Sequence, residues 1–259
     1  MEPDGRTLRS VLHKRIDVFR SLGESPASKP ELVDRLSSSR STVDRAIADL
    51  EDVDCVESRN GTYSLSATGR FALAEHERYA STTRTIARAS ELLDGLPEST
   101  TLSSAFLDGA EVAVADSHAP SSAATESSQL LERATAMRGL APTVRKSDVF
   151  ILNRELDRDD LTIEVVAEPE VVEALAALSD TPISALVARD AFSLYRSPQS
   201  LPYALWVMET PEGDHAGVTF RGAGGTTGMV TNDAPDAVAW ANETFESYRE
   251  RAESVDRPI

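Results

Sequence analysis

The apolar positions between residues 28 and 65 predict two short amphipathic helices followed by a β-hairpin. The first helix starts at Ser28, which lies three residues before Glu31 and so predicts a capping box. The second follows a serine run, and its apolar residues recur three and four positions apart: Val43, Ala46, Ile47 and Leu50. Beyond it, Asn60-Gly61 predicts a type I′ hairpin turn, because both positions of that turn need positive φ.

The buried face of the second helix determines which of its side chains face outward. Helix, turn, helix and hairpin in this order resemble the winged helix-turn-helix domain of transcription regulators, whose second helix enters the major groove. The resemblance implies that polar residues of the first helix, of the start of the second helix and of the hairpin tip contact double-stranded DNA: Lys29, Ser38, Ser39, Arg40, Ser41, Thr42, Arg45, Arg59 and Asn60. The alternatives are a small helical domain with a polar surface and a winged helix that binds protein.

Helical repeats also flank this region. Six apolar residues on one face predict a helix from Leu8 to Leu22. After the hairpin, a helix broken or weakened at Gly69 is predicted from Ala67 to Leu93. In this helix Phe71, Tyr79 and Ile86 recur every seven or eight residues. That spacing is typical of a helix that pairs with its own copy, which predicts a homodimer. A plain connector helix is the alternative.

Beyond Pro97 the pattern changes to short apolar strands that alternate with helices. Strands are predicted at residues 111–115, 143–144, 161–166, 183–188, 203–209, 216–221 and 228–231. Helices are predicted at residues 125–138, 148–156, 169–178 and 235–253. The alternation predicts a C-terminal α/β sandwich with a mixed sheet. The fold class is therefore α/β overall, with an all-α winged helix-turn-helix and a small hairpin at the N-terminus.

Charge divides the chain in a similar way. Residues 1–90 hold 14 Lys/Arg and 14 Asp/Glu, whereas the remainder holds 12 and 29 and carries the whole net charge of −17. A neutral part with arginines on one helix and one hairpin can approach phosphate, but an acidic part is repelled by it. We therefore predict a DNA-binding domain at residues 1–66, a linker or dimerisation helix at 67–96, and an acidic sensor domain at 97–259.

The acidic surface is also poor in lysine, which occurs only at positions 14, 29 and 146. Such a composition resembles that of proteins from salt-loving archaea. There the Debye length falls to about 3 Å at 1 M salt, so the acidic domain would hardly oppose the approach of DNA. An acidic protein from ordinary salt is the alternative.

Several stretches resemble archaeal helix-turn-helix regulators that carry the middle domain first named in a methanogenesis regulator. They are residues 76–97, 110–116, 139–144, a hairpin that includes 215–217, and 230–252. Residues 163–188 and the three antiparallel strands predicted between residues 203 and 231 also resemble the phospholipase D-like halves of archaeal sugar-responsive regulators. The His-x-Lys pair that makes those folds catalytic is missing here. The resemblance implies a regulator rather than an enzyme, with a sensor or dimerisation role for residues 97–259.

Residues that follow the predicted strands are candidates for a small-molecule effector site, because ligands of open α/β sheets bind where strands end. They are Asp116, His118, Arg145, Lys146, Glu168 and Arg189, and Tyr203 and Trp206 are candidate aromatic walls. Packing in the core is the alternative role of both aromatics. The glycine-rich run at 221–228 has an anion cradle as one interpretation. A strand turn is favoured, because no helix N-terminus follows.

We predict no catalytic residue, metal site or cofactor. The four histidines lie at no metal-ligand spacing from Cys55 or from one another, and the sequence has no Walker, nucleophile-elbow or dinucleotide motif. Cys55 is the sole cysteine, which predicts a small buried residue, with a redox sensor as the alternative. No apolar run approaches the about 20 residues needed to cross a bilayer. A cytoplasmic protein without membrane contact is therefore expected.

Overall fold

The computed structural model describes residues 4–98, 100, 102–115, 125–179, 181–222 and 225–255. The chain forms two units, Met1–Ser81 and Thr82–Ile259, called here the N-terminal unit and the C-terminal unit. The predicted fold class is confirmed, because the first unit is helical with a small sheet and the second has a mixed sheet. The finer division at residues 66 and 96 stays a prediction.

The N-terminal unit combines helices with a three-stranded sheet. Its elements are α1 (Gly5–Glu24), β1 (Ala27–Ser28), α2 (Lys29–Leu36), α3 (Arg40–Glu51), β2 (Val56–Arg59), β3 (Thr62–Leu65) and the first part of α4 (Ala67–Arg88). Glu31 accepts hydrogen bonds from the N–H and the hydroxyl of Ser28, both at 2.7 Å, at the predicted helix start. Asn60 and Gly61 have φ of 53° and 81°, as a type I′ turn requires.

The predicted apolar faces point into the core of this unit. Val43, Ile47 and Leu50 of α3 are fully buried, together with Phe19 of α1. Cys55 is buried among them, and burial raises the pKa of its thiol. A protonated, shielded thiol is a poor redox sensor, so the packing role of this cysteine is favoured.

The long helix after the hairpin differs from its prediction at its C-terminal end. α4 is continuous through Gly69, which excludes a break there and leaves the predicted alternative of a weakened helix. It ends at Arg88, because Ala89 leaves the helical conformation with φ −94° and ψ 5°, and a short α5 (Ser90–Leu93) follows. The predicted single helix to Leu93 is therefore corrected to two.

The C-terminal unit is built on an eight-stranded sheet. Its further helices are α6 (Ser104–Leu107), α7 (Thr125–Arg133), α8 (Lys146–Glu155), α9 (Pro169–Leu178), α10 (Ile183–Val187) and α11 (Pro235–Arg249). Its strands are β4 (Glu111–Val114), β5 (Ala136–Ala141), β6 (Thr162–Ala167), β7 (Phe192–Arg196), β8 (Ala204–Thr210), β9 (Gly213–Gly222), β10 (Gly225–Asn232) and β11 (Glu253–Ser254). The strand order is β11-β7-β6-β5-β8-β9-β10-β4. Neighbours among β5, β6 and β7 are parallel and the other pairs are antiparallel.

Helices cover both faces of this sheet. Phe106 of α6 and Phe245 of α11 pack in one core cluster on the first face. Leu131 of α7, Val149 of α8 and Val172 of α9 belong to the cluster on the second face. The result is the predicted α/β sandwich, and the second cluster surrounds the cavity described below.

Several predicted elements of this unit were wrong. The helix predicted to run to Arg138 ends at Arg133, and β5 occupies residues 136–141, so residues 143–144 are not a strand. Backbone pairing of β5 with β6 and β8 outweighs the weak local preference of its Ala, Met and Gly residues. Residues 183–187 form α10 instead of a strand, and β7 was not predicted. The closing helix ends at Arg249, after which β11 pairs with β7.

Candidate functional site

The start of α3 is a capped helix terminus that faces solvent. Ser39 is the N-cap, and its Oγ accepts the backbone N–H of Thr42 at 3.2 Å. The same oxygen lies 3.0 Å from the hydroxyl of Ser41 and 2.8 Å from that of Thr42. All three residues are exposed. This cluster fixes the first turn of α3 and presents hydroxyls and a helix N-terminus, a combination that suits phosphate.

Two arginines stand on the solvent side of α3. The Arg40 side chain is 86% exposed, and its Nε lies 4.0 Å from Oδ2 of Asp44. Arg45, further along the helix, is also exposed. Because Val43 and Ala46 beside them are buried, rotation of α3 cannot turn these guanidinium groups inward. The helix therefore offers two cations to an approaching polyanion.

Lys29 is held within the N-terminal unit. Its Nζ lies 2.8 Å from Oδ1 of Asp44 and 5.5 Å from the ring centroid of Tyr63. The hydrogen bond between Lys29 and Asp44 raises the pKa of Lys29 and lowers that of Asp44. Lys29 thus links α2 to α3 and β3, beside its predicted DNA contact. The sequence analysis did not identify Asp44 as the acceptor for Lys29. Only the spacing of four residues between Arg40 and Asp44 indicated that Asp44 forms an ion pair.

The remaining predicted DNA residues lie in the two turns. Ser38 donates a hydrogen bond from its hydroxyl to the carbonyl of Leu36 at 3.3 Å, in the turn between α2 and α3. Arg59 is exposed at the hairpin tip, with its Nη2 3.5 Å from Oε1 of Glu57, and Asn60 is exposed next to it. The hairpin therefore ends in a cation and an amide.

The charged residues predicted for a ligand site do not line one shared pocket. Most of them make hydrogen bonds to backbone groups of distant segments. Arg145 donates to the carbonyl of Gly222 at 3.1 Å, and Glu168 accepts the N–H of Leu201 at 2.6 Å. Arg189 donates to the carbonyl of Leu156 at 2.9 Å. Lys146 is exposed at the first position of α8. Asp116 and His118 lie outside the described residues.

The two predicted aromatics have different environments. Tyr203 is buried, and its ring centroid lies 6.5 Å from that of Trp240. Burial raises the pKa of the Tyr203 hydroxyl to about 12. Trp206 lies on the opposite face of the sheet, in the second core cluster. Of the predicted ligand residues that the structure describes, only Trp206 lines the main cavity of the C-terminal unit.

That cavity has a volume of about 280 Å³. It lies between the sheet and helices α7, α8 and α9, and most of its wall is aliphatic or aromatic. Its apolar wall includes Leu131, Met137, Val149, Leu152, Ile163, Val165, Leu175, Phe192, Leu194, Trp206 and Met229. Its charged residues are Asp148, Glu155 and Arg221. An apolar wall with a few polar groups is the usual form of a small-molecule site.

Among the residues that the structure describes, no group of three His, Cys, Asp or Glu side chains is placed to hold a metal ion. None of the helices that the structure describes is both long enough and apolar enough to cross a bilayer.

Two family models match the chain. The model described as the HVO_A0261 N-terminal domain matches residues 4–88. The model described as the middle domain of the methanogenesis regulatory protein FilR1 matches residues 120–251, which is half of the chain. No curated protein sequence matches this chain.

Solved structures show weaker similarity. The archaeal chromatin protein TrmBL2, whose structure shows a novel mode of DNA binding, is 14% identical, with 98% of this chain and 100% of that chain covered and a TM-score of 0.40. Polyphosphate kinase from Porphyromonas gingivalis is 12% identical, with coverage of 76% and 28% and a TM-score of 0.42. The phospholipase D family member Nuc from Salmonella typhimurium is 11% identical, with coverage of 56% and 96% and a TM-score of 0.39. Similarities at this level do not assign a function to the chain.

Proposed function

The chain belongs to the family defined by the middle domain of the methanogenesis regulatory protein FilR1, and from this premise we propose that it is a transcription regulator whose winged helix binds double-stranded DNA. The exposed cationic face of α3 supports the proposal most directly. Arg40 and Arg45 stand on a helix whose opposite face is buried. A rigid helix with outward arginines is what major-groove recognition requires.

The groups on this surface divide into two roles. Ser39, Ser41 and Thr42, with the N-terminus of α3, suit phosphate contacts that position the protein without selecting a sequence. Arg40 and Arg45 suit base edges, because a guanidinium can donate two parallel hydrogen bonds to guanine. Arg59 at the hairpin tip suits the flanking backbone. In this proposal the chain binds DNA and catalyses no reaction.

Replacing both Arg40 and Arg45 with alanine is expected to weaken specific DNA binding about 100-fold, since each such contact contributes about 1–3 kcal/mol. The measurement is fluorescence anisotropy with a duplex that the wild-type protein selects from a random pool. It is repeated at several KCl concentrations, because a loss of base-edge contacts weakens binding at every concentration, whereas a loss of phosphate contacts would also lower the salt dependence.

The matched control removes two arginines from the C-terminal unit, Arg133→Ala with Arg251→Ala, and should bind as the wild type does. Asp44→Asn is a second comparison, because it removes a negative charge that partners Lys29 and Arg40. Stronger binding is expected from this variant. Equal affinity of the double variant and the wild type would remove α3 as the recognition helix and favour a winged helix that binds protein.

We also propose that the chain forms a homodimer through α4. Phe71 is 77% exposed and Tyr79 is 70% exposed, and Ile86 is exposed further along the same helix. Their spacing of eight and seven residues keeps them on one side of the helix. A second copy of the chain is the occupant that suits this row best. Helix-turn-helix proteins commonly bind two half-sites as dimers.

Phe71→Glu is expected to convert the dimer to a monomer, because a buried and unpaired carboxylate on each copy opposes association. Light scattering coupled to size-exclusion chromatography measures the mass. Ala87→Glu is the matched control, since Ala87 is exposed on α4 and the substitution adds the same charge. A monomeric wild type, or a dimeric Phe71→Glu variant, would contradict the proposed interface.

A further inference from the structure

Trp206, in the wall of the cavity of the C-terminal unit, has a glycine on each side in the sheet. In strand register, Trp206 of β8 pairs with Gly139 of β5 and with Gly217 of β9. Directly paired residues point to the same face of a sheet, so neither neighbour places a side chain beside the indole. A Cβ at Gly217 would overlap the ring of Trp206, which shows that the indole lies across that strand.

The size and lining of the cavity set limits on its occupant. Its volume of about 280 Å³ is roughly twice that of an apolar cavity of about 150 Å³ that binds benzene. Most of its lining is apolar, which favours an apolar occupant. A body of two fused aromatic rings, or an aliphatic body of similar size, would fill it.

Two polar groups of the wall need an acceptor. Nε1 of Trp206 and Nε of Arg221 are buried, and neither has a hydrogen-bond partner among the described residues. Trp206 is only 6% exposed. Buried donors nearly always have a partner, and an unpaired one calls for an explanation. Both residues line the same cavity, and an oxygen of a bound molecule would satisfy them.

The charged groups of the wall are already paired. Nη1 of Arg221 donates to Oδ2 of Asp148 at 2.7 Å. Glu155 accepts hydrogen bonds from Arg154 at 2.8 Å and from Arg158 at 3.1 Å. The cavity therefore offers N–H donors without an excess of unpaired carboxylate, which disfavours a cationic occupant.

We propose that this cavity binds an apolar small molecule with a carbonyl or carboxylate oxygen that accepts hydrogen bonds from Trp206 and Arg221. The inference rests on the proposed regulator function and deepens it, because it names the chemical class of the effector. Three probes of matched shape test it: 2-acetonaphthone, 2-naphthoate and naphthalene. Binding to the full chain without DNA is measured by isothermal titration calorimetry.

The expected result is that 2-acetonaphthone or 2-naphthoate binds at least about tenfold more tightly than naphthalene, the difference that one or two hydrogen bonds provide. The tighter of the two shows whether the acceptor is neutral or anionic. Equal binding of naphthalene would overturn the role of the two donors. Failure of all three probes to bind would overturn the site.

Four variants locate the binding. Trp206→Phe keeps an aromatic ring but removes the donor, and Arg221→Lys keeps a charge opposite Asp148 but removes Nε. Each should weaken binding of the oxygenated probe about tenfold and leave naphthalene unchanged. Val165→Phe fills the cavity and should abolish binding of every probe. Tyr203→Phe removes a buried hydroxyl on the opposite face and serves as the matched control.

Thermal melts confirm that each variant is folded, and unchanged binding in a folded Val165→Phe variant would place the probes elsewhere and overturn the proposal. The DNA-binding proposal fails separately. Arg40→Ala with Arg45→Ala should bind the probes as the wild type does, whatever its affinity for DNA. Loss of probe binding in that variant would count against a site confined to the C-terminal unit.

Discussion

Gly69→Ala is expected to destabilise the N-terminal unit by about 2–3 kcal/mol, the upper range for overpacking a tightly packed position. The sign is the reverse of the usual one, because alanine in place of glycine within a helix normally stabilises by about 0.5–1 kcal/mol. The cause is a close approach of backbones. A Cβ at Gly69 would overlap the carbonyl oxygen of Cys55 and crowd its carbonyl carbon.

Neither backbone can move away easily. Ser66 donates from its N–H to the Cys55 carbonyl at 3.0 Å and from its hydroxyl to the Asp54 carbonyl at 2.6 Å. The hydroxyl of Ser66 also accepts the N–H of Gly69 at 2.9 Å. On the other side, Cys55 donates its own N–H to the carbonyl of Leu50 at the end of α3. An added methyl group must therefore strain α4, α3 or both.

Urea unfolding monitored by circular dichroism measures this loss as a lower transition midpoint. Gly5→Ala is the matched control, because a Cβ there meets nothing within 4 Å and Gly5 is also helical. We expect the control to be neutral or slightly stabilising. A Gly69→Ala variant as stable as the control would show that α4 can shift away from Cys55 at little cost.

This contact also shows what the sequence could and could not predict. The elements of the N-terminal unit follow from local chemistry: a cap at Ser39, a turn at Asn60-Gly61 and apolar spacing in α3. Each acts within a few residues, so the helices and the hairpin were predicted. The role of Gly69 depends on Cys55, fourteen residues away, and the sequence alone suggested only a weak helix.

The C-terminal unit was harder because its sheet pairs distant segments. β5 has few β-branched residues and becomes a strand through its neighbours β6 and β8. Residues 183–187 carry Ile and Val yet form a helix, while β7 was missed beside them. Strand β6, helix α9 and the antiparallel strands β8, β9 and β10 were predicted, because those segments have strong apolar runs with clear turns between them.

The candidate sites divide in the same way. The exposed residues of α3 and the hairpin tip follow from amphipathic spacing, and the structure places them on the surface. The position of the Trp206 ring in the cavity wall depends on the register that sets Gly139 and Gly217 beside it. No local pattern marks that arrangement. The strand-end rule pointed to Arg145, Glu168 and Arg189, which instead hold loops.

Arg158→Ala is expected to destabilise the C-terminal unit by about 3 kcal/mol, as for removal of one partner from a buried charge pair. Its guanidinium donates to the carbonyls of Leu131 at 2.8 Å and Ala134 at 2.9 Å, at the end of α7. It also donates to Glu155 at 3.1 Å and to Asp160 at 3.1 Å. The substitution leaves the two carbonyls without this donor. It also removes a cation from beside the carboxylate of Glu155, a residue that is 2% exposed.

Glu155 keeps Arg154 as a partner in this variant, with Nη2 of Arg154 2.6 Å from Oε1 of Glu155. This remaining ion pair limits the loss of stability. Arg158→Lys separates charge from geometry. Lysine restores the cation, but its single ammonium cannot span four acceptors as the planar guanidinium does. The lysine variant should therefore lie between the wild type and the alanine variant in stability.

Arg133→Ala is the control, because Arg133 is half exposed and lies 3.7 Å from Glu212 in a surface pair. Such pairs contribute about 0–1 kcal/mol, so its transition should nearly coincide with that of the wild type. Urea unfolding compares the four proteins, and hydrogen exchange tests whether the amides of α7 lose protection first in Arg158→Ala. Equal midpoints for Arg158→Ala and Arg133→Ala would mean that water satisfies the end of α7 as well as the guanidinium does. Arg158 would then stabilise the C-terminal unit no more than an ordinary surface arginine, although it makes four hydrogen bonds.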